Sequence, residues 1–196
     1  YSMPVQYKSG VISEHLHTRN KAGFFDVSHM GQIKIWSKNK EKEKLIKALE
    51  KLMPCDLYNL KENRQTYSLL TNSNGGVIDD LMIANKVSYF QLVVNASQKK
   101  TDYQHLKNNI SQDFDIELEE NKSLLAIQGP QSEDILSDIN SNIKNMKFMD
   151  SIDISLAGID CSISRSGYTG EDGFEISVNN KNVLQLVEIL FKKSEL

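Results

Sequence analysis

Two adjacent carboxylates interrupt an apolar segment that reads Val77-Ile78-Asp79-Asp80-Leu81-Met82-Ile83. Because side chains alternate across a β-strand, this segment predicts that Asp79 and Asp80 point to opposite faces. Both faces are otherwise apolar, so at least one carboxylate should be enclosed, which costs free energy unless it has partners. A ligand-facing acid would explain that cost, and a sheet-edge acid that caps a turn or pairs with a lysine is the alternative. The expected faces are Val77, Asp79, Leu81 and Ile83 on one side, and Ile78, Asp80, Met82 and Ala84 on the other.

A second segment, Arg165-Ser166-Gly167-Tyr168-Thr169-Gly170-Glu171-Asp172-Gly173-Phe174-Glu175, combines glycines with an aromatic residue and acids. Its glycines allow close backbone approach, and its aromatic and acidic side chains could line a pocket. The segment does not match the phosphate-binding GxxxxGK[ST] pattern and no helix follows it, which disfavours nucleotide binding. From the residues alone, a polar hairpin loop is the favoured alternative.

Histidines and cysteines show no metal-ligand pattern. His15 and His17 lie two positions apart on a predicted helix and therefore on different faces, while His105 lies on another ordinary helix. Cys55 and Cys161 are far apart and belong to no CxxC motif, which indicates two small buried side chains rather than a disulfide framework. We therefore predict no metal site.

Ser28 and His29 are neighbours in the segment Phe25-Asp26-Val27-Ser28-His29-Met30-Gly31. A Ser-His pair one position apart does not form a catalytic dyad by itself, and the chain contains no GxSxG elbow. The segment is better interpreted as turn residues that lead into a strand.

The composition is that of an ordinary globular protein of one or two domains. Of 196 residues, 39% are hydrophobic and 25% charged, with a net charge of -3. The negative charge disfavours a nucleic acid or a membrane surface as partner, and no apolar run approaches the roughly 20 residues of a membrane span. The first residues show no signal-peptide pattern and no initiator Met, so a processed or truncated start is an open alternative.

Hydrophobic periodicity predicts the elements that must position these residues. The pair Asn74-Gly75 lies between two predicted strands and indicates a hairpin, because both residues accept positive φ. Tight hairpins among interleaved helices favour an α+β fold with largely antiparallel sheets. The predicted helices are 9–20, 41–53, 101–110, 131–139 and 183–191. The predicted strands are 32–36, 67–71, 77–84, 90–95, 124–128, 152–156, 159–164 and 174–178.

Seven segments resemble the glycine cleavage T-protein family of aminomethyltransferases. No single segment is specific, but all seven follow the family's order across nearly the whole chain. They are Met3-Pro4-Val5-Gln6-Tyr7, His17-Thr18-Arg19, Phe25 to Gly31, Asn74-Gly75-Gly76-Val77-Ile78-Asp79-Asp80-Leu81, Val93-Val94-Asn95-Ala96, Ala126-Ile127-Gln128-Gly129-Pro130, and Arg165 to Glu175.

The resemblance implies a reaction without a metal. The aminomethyl carbon carried by the lipoyl arm of H-protein passes to tetrahydrofolate, which gives 5,10-methylenetetrahydrofolate and ammonia. It also implies a T-protein-like folate-binding region over residues 1–196, with two intertwined α+β subdomains whose mainly antiparallel sheets are flanked by helices. Family members have a longer N-terminus and continue into a C-terminal barrel domain. We expect that domain to be absent from this chain, which resembles a portion of such a protein.

The resemblance also implies site residues around folate in a central cavity. By motif position Asp80 is the catalytic aspartate near folate N10, a role in which a carboxylate orients an amine nucleophile and stabilises developing positive charge. Phe148 is a looser match than the others. The residues matched to folate contacts are Tyr67, Asn95, Phe148, Tyr168 and Glu175.

Other members of the same wider group remain alternatives. Asp79-Asp80 and the segment from Tyr168 to Gly173 favour T-protein over a sulfonium demethylase or the folate-binding part of sarcosine or dimethylglycine dehydrogenase. A non-catalytic folate-binding module, like the iron–sulfur assembly factors of this fold, would not need Asp80. The family implies a cytoplasmic location in a bacterium and the mitochondrial matrix in a eukaryote.

Overall fold

The structure, a computed structural model, describes residues 3–193. The chain divides into two compact units, and each contains a five-stranded antiparallel sheet. The first unit comprises the described parts of Tyr1–His29 and Asn121–Leu196, and the second comprises Met30–Glu120. The predicted α+β fold with mainly antiparallel sheets flanked by helices is confirmed.

The first unit begins with α1 and ends with α5. Its strands follow the order β1-β7-β10-β9-β8 across the sheet. A 3₁₀ helix, Ser141–Asn145, connects α4 to β8. The elements are α1 (Val11–Asn20), β1 (Gly23–Asp26), β7 (Lys122–Gln128), α4 (Ser132–Ser137), β8 (Ser151–Leu156), β9 (Ile159–Ser164), β10 (Gly173–Asn179) and α5 (Val183–Lys193).

The second unit has the strand order β3-β4-β5-β2-β6. Its apolar core forms where Leu45 and Leu49 of α2 and Leu106 of α3 meet alternate strand side chains such as Ile83 and Leu92. Alternation along the strands thus directs one face to the helices. The elements are β2 (Gly31–Ser37), α2 (Lys42–Leu49), β3 (Arg64–Thr71), β4 (Val77–Asn85), β5 (Phe90–Val94), α3 (Lys99–Ile110) and β6 (Phe114–Leu118).

The predicted hairpin between β3 and β4 is present, with a different turn chemistry. Gly75 has a positive φ of 77° but Asn74 does not. The side-chain Oδ1 of Asn72 instead accepts the backbone N–H groups of Asn74 and Gly76, at 2.9 Å each. A five-residue loop organised by this asparagine replaces the two-residue turn.

A register shift at the start of β4 corrects the predicted alternation. Leu70 pairs with Asp79 and Thr71 pairs with Val77, so Ile78 is an inserted residue of a bulge. Ile78 therefore packs against the apolar core although alternation placed it on the other face, and Val77 is exposed. The predicted faces hold from Asp79 onwards and are wrong at the two preceding residues.

Five further elements depart from the sequence expectations. Strands β1 and β6 and the 3₁₀ helix were not predicted, because each spans only four or five residues with weak periodicity. The helix predicted at 41–53 ends at Leu49, and the one predicted at 131–139 ends at Ser137. None of the helices described within residues 3–193 has the length and apolar character needed to cross a membrane.

Candidate functional site

The side-chain amide of Asn95 hydrogen-bonds to the carboxylates of both Asp79 and Asp80. Asn95 follows β5 directly, next to the Leu81–Val94 pair that connects β4 and β5. Its Nδ2 donates to Asp80 Oδ1 at 2.8 Å and to Asp79 Oδ1 at 3.0 Å. The register between β4 and β5 thus brings Asn95 to both acids.

Tyr67 lies beside Asp80 on the neighbouring strand. Tyr67 pairs with Met82, and Leu69 pairs with Asp80, so Tyr67 and Asp80 are diagonal neighbours on one face. Partial burial, the charge of Asp80 and a hydrogen bond to Asp80 raise the pKa of Tyr67, in that order. The second unit therefore brings together Tyr67, Asp80 and Asn95, three of the six residues matched from the sequence.

A third acid, Asp102, lies near Asp79 and was not identified from the sequence. It lies in the first turn of α3, has no exposed surface, and shares the helix face of Leu106 and Ile110. Burial and the charge of the nearby Asp79 raise the pKa of Asp102 to about 7. The spacing 102, 106, 110 was the available signal, because it puts an acid in the apolar stripe of a helix.

The raised pKa of Asp102 predicts a pH-dependent stability. A carboxyl whose pKa is higher in the folded than in the unfolded chain stabilises the fold fully at low pH, and that stabilisation is lost as pH rises through the folded pKa. From an ordinary value of 3.8 to about 7, the free energy of unfolding should fall by roughly 2 kcal/mol between pH 5 and pH 7. Urea unfolding of the wild type and Asp102→Asn at each pH measures it. If Asp102 does not titrate, the difference in unfolding free energy between the two proteins should be the same at pH 5 and pH 7.

In the first unit, Glu175 is held at the centre of the sheet. It pairs with Ala126 of β7 and Ser164 of β9. Ser166 Oγ donates to Glu175 Oε2 at 2.8 Å and lies 3.0 Å from Ser164 Oγ. Burial raises the pKa of Glu175, and the Ser166 hydrogen bond acts in the opposite direction. One carboxylate oxygen is thus fixed by the protein, which orients the other.

The glycine-rich segment is braced by the buried amide of Gln128. Its Nε2 donates to the Ser166 carbonyl at 2.9 Å, and its Oε1 accepts from Thr169 Oγ1 at 2.9 Å. A Cβ on Gly167 would overlap this amide, so the glycine permits the close approach. The segment is therefore an ordered loop with a defined inner contact rather than a loose polar hairpin.

Arg165 closes the base of the same loop. Its Nε and Nη2 donate to the two carboxylate oxygens of Asp172, and its Nη1 donates to the Met146 carbonyl. Nη1 also lies 2.6 Å from Glu133 Oε2. Such a forked, partly buried arginine fixes the loop ends more firmly than a surface ion pair would.

Tyr168 and Phe148 present aromatic surface. Tyr168 is 69% exposed and lines a cavity of about 370 Å³ with residues of α1. Phe148 is 63% exposed in the segment before β8, where Met149 N donates to the Arg165 carbonyl. These two residues and Glu175 are the matched residues that belong to the first unit.

The other candidates take structural positions. Ser28 N donates to Asp26 Oδ1 at 3.0 Å, which supports the predicted turn. Cys161 is buried and Cys55 is half-buried, both as free thiols, so the prediction of two buried cysteines is wrong for Cys55. Among residues 3–193 no group of three or more His, Cys, Asp or Glu side chains is arranged to hold a metal ion.

Sequence patterns did not indicate Gln128, Ser166 or Arg165 as organisers of the site. Gln128 ends an apolar strand, and only its complete burial distinguishes it from a strand-end glutamine in solvent. Ser166 and Arg165 were part of the singled-out segment, but their contacts with Glu175 and Asp172 depend on the packing of β9 against β10.

Comparisons with known proteins agree on one family. The model of the family described as GCVT N-terminal domain matches residues 1–196. The mitochondrial aminomethyltransferase of Dictyostelium discoideum is 42% identical over 99% of this chain and 49% of its own length. An aminomethyltransferase of Thermoanaerobacter sp. strain X514 is 43% identical over 96% of this chain and 51% of its own. The chain thus spans about half the length of the curated relatives it matches.

Solved structures give the same result for the fold. The glycine cleavage system aminomethyltransferase T of Bartonella henselae superposes with a TM-score of 0.86 at 36% identity, covering 96% of this chain and 50% of that one. A heterotetrameric sarcosine oxidase of Corynebacterium sp. U-96 superposes with a TM-score of 0.66 at 15% identity, covering 93% of this chain and 89% of that one. At that identity the second likeness shows the fold alone.

Proposed function

The chain belongs to the GCVT N-terminal domain family, and from that premise we propose that it serves in an aminomethyltransferase of the glycine cleavage system. The reaction transfers the aminomethyl carbon from the lipoyl arm of H-protein to tetrahydrofolate and releases ammonia. Its products are 5,10-methylenetetrahydrofolate and the freed lipoyl thiol. The activity is that named for the relatives, and the arrangement of side chains in this chain supports the proposal.

The observation that carries the proposal is the carboxylate of Asp80, held by Asn95 and lying beside Tyr67. Asn95 Nδ2 donates to one carboxylate oxygen at 2.8 Å, and Tyr67 is the diagonal neighbour of Asp80 on the same face of the sheet. Tetrahydrofolate supplies the amine nucleophile when bound. An oriented carboxylate accepts the N–H of such an amine and stabilises the positive charge that develops on nitrogen. We assign Asp80 this catalytic role, with Tyr67 and Asn95 as folate contacts.

The first unit offers groups of the kind a folate needs. Because Ser166 occupies Glu175 Oε2, the other oxygen is oriented to accept N–H groups of the pterin. Tyr168 and Phe148 present rings that can cover an aromatic face. We propose Glu175, Tyr168 and Phe148 as folate contacts on this basis.

The proposal extends to domains, partners and location. We propose that residues 1–196 form the folate-binding region, with lipoylated H-protein as the protein partner and neither a nucleic acid nor a membrane involved. The relatives include mitochondrial and bacterial proteins. The corresponding locations are the mitochondrial matrix in a eukaryotic source and the cytoplasm in a bacterial one. The held carboxylate of Asp80 favours a transferase over a folate-binding module without catalysis.

Calorimetric titration of the chain with tetrahydrofolate tests the folate site. We expect one site, and Glu175→Gln should weaken binding about 10- to 100-fold, because hydrogen bonds to a charged group contribute about 1.5–3 kcal/mol. Glu117→Gln makes the same chemical change at an exposed position of β6 and should bind like the wild type. Equal affinities for all three proteins would contradict the role of Glu175, and no heat from any of them would contradict folate binding by residues 1–196.

A further inference from the structure

Asp102 occupies a position that an ionised carboxylate would not tolerate alone. It is completely buried, and neither carboxyl oxygen receives a hydrogen bond from a conventional donor among the described residues. A buried charge without a partner costs several kcal/mol, so such groups pair or become neutral. Asp102 lies on α3 above the core face of the sheet, which is the face that Asp79 shares with Leu81.

Asp79 has a buried carboxylate oxygen that lacks a hydrogen-bond donor. Its Oδ1 accepts from Asn95 Nδ2 at 3.0 Å, while its Oδ2 is buried without a donor. Two ionised carboxylates cannot hydrogen-bond to each other, because neither carries a proton. If one is protonated, its O–H supplies the missing donor and the repulsion disappears. Asp79 already accepts from Asn95, whereas neither oxygen of Asp102 has a donor, so Asp102 is the acid that keeps the proton. Burial and the charge of Asp79 raise the pKa of Asp102 in agreement with this assignment.

We propose that neutral Asp102 is a positioning residue for Asp80: its O–H donates to Asp79, ionised Asp79 fixes the amide of Asn95, and Asn95 holds the Asp80 carboxylate. This inference rests on the proposed aminomethyl transfer, because it gives the catalytic acid of that reaction a supporting row of three side chains. Asp102 has no exposed surface with which to contact a substrate, so its contribution is orientation.

The direction of the Asn95 amide explains why the row matters. An amide side chain can present either its Nδ2 or its Oδ1 to a neighbour, and the two ends nearly coincide in shape. A carboxylate on Asp79 accepts only, so it selects the Nδ2 end. The same Nδ2 carries a second hydrogen, which reaches Asp80 Oδ1 at 2.8 Å. Asp80 itself would still attract the Nδ2 end, but without a charged Asp79 the amide is held only by the residue that it has to position, and Asp80 loses a fixed donor.

The shared proton is tested by infrared spectroscopy, independently of any activity. At about pH 6 exposed acids are ionised, so a protonated buried acid stands out by its carboxylic C=O stretching band. We expect this band in the spectrum of the wild type and not in the spectrum of Asp102→Asn. Asp160→Asn removes an exposed acid of β9 and should leave the band unchanged. An identical band in Asp102→Asn and the wild type would overturn the proposal.

The positioning role is tested by transfer kinetics with lipoyl H-protein and tetrahydrofolate. Asp102→Asn keeps a neutral donor for Asp79 and should retain kcat within about threefold, whereas Asp102→Leu removes the donor and should lower kcat about 10- to 100-fold with little change in KM for folate. Equal kcat for the two variants would refute positioning. Should Asp102→Leu fail to fold, Asp102→Ala, which also removes the donor but adds no bulk, takes its place. An inactive wild type would count against the proposed function instead, and the infrared result would still decide the shared proton.

Discussion

Replacing Asp80 with Asn is expected to lower the turnover of aminomethyl transfer by about 10²- to 10⁴-fold, the usual range for removing a positioned acid or base. Asn has nearly the same shape, and its Oδ1 can still accept from Asn95. The negative charge is lost, however, so the variant no longer stabilises positive charge on the attacking amine. Affinity for tetrahydrofolate should stay within a few fold of the wild type, because that charge develops only in the transition state.

The measurement is steady-state formation of 5,10-methylenetetrahydrofolate, together with calorimetric binding of tetrahydrofolate to each protein. Asp160→Asn is the matched control, since it makes the same change at an exposed position of β9. Thermal unfolding of both variants shows whether the fold is intact. Turnover within about threefold of the wild type would show that the Asp80 carboxylate is not catalytic.

The acid pair illustrates which part of the site the sequence could reveal. Two carboxylates in an apolar strand are conspicuous on composition alone, and alternation separates Asp79 from Asp80. The contact of both with Asn95 could not be derived, because it depends on the register between β4 and β5. The bulge at Ile78 is likewise set by the pairing of two strands, and a single-strand pattern does not contain it.

Buried polar residues were harder to identify than exposed motifs. Asp102 and Gln128 both looked ordinary in the sequence, one in a weakly amphipathic helix and the other at a strand end. Each acquires its importance from a partner distant in the chain: Asp79 for Asp102, and Ser166 for Gln128. The helix α2, by contrast, followed from local hydrophobic periodicity, and its Leu45 and Leu49 are buried.

Two short edge strands, β1 and β6, could not be predicted from the sequence. β1 and β6 lie at the edges of their sheets and pair with one neighbour each. Four or five residues give too few periods to separate a strand from a loop, so their formation depends on the neighbouring strands β7 and β2. The fold class was therefore accessible from sequence, while the complete strand order required tertiary pairing.

Gly129→Ala is expected to be the most destabilising small substitution in the first unit, at about 3–5 kcal/mol of unfolding free energy. Gly129 has φ of 133°, which L side chains rarely adopt. An added Cβ would also lie 2.5 Å from the Thr18 carbonyl oxygen and 2.9 Å from the Ala22 Cα. Both are backbone atoms next to the end of α1, so relief requires the chain itself to move. Urea unfolding measures the loss.

Gly158→Ala separates conformational strain from steric overlap in that experiment. Gly158 also has positive φ, at 83°, but a Cβ there meets nothing within 4 Å. Its replacement should cost only the strain, about 1–2 kcal/mol. Gly129 also donates its N–H to the Asp172 carbonyl and follows Gln128, which braces the loop next to Glu175. Gly129→Ala should therefore weaken tetrahydrofolate binding as well, whereas Gly158→Ala should not. Equal losses of stability for the two variants would show that backbone overlap at Gly129 contributes nothing beyond the strain of positive φ.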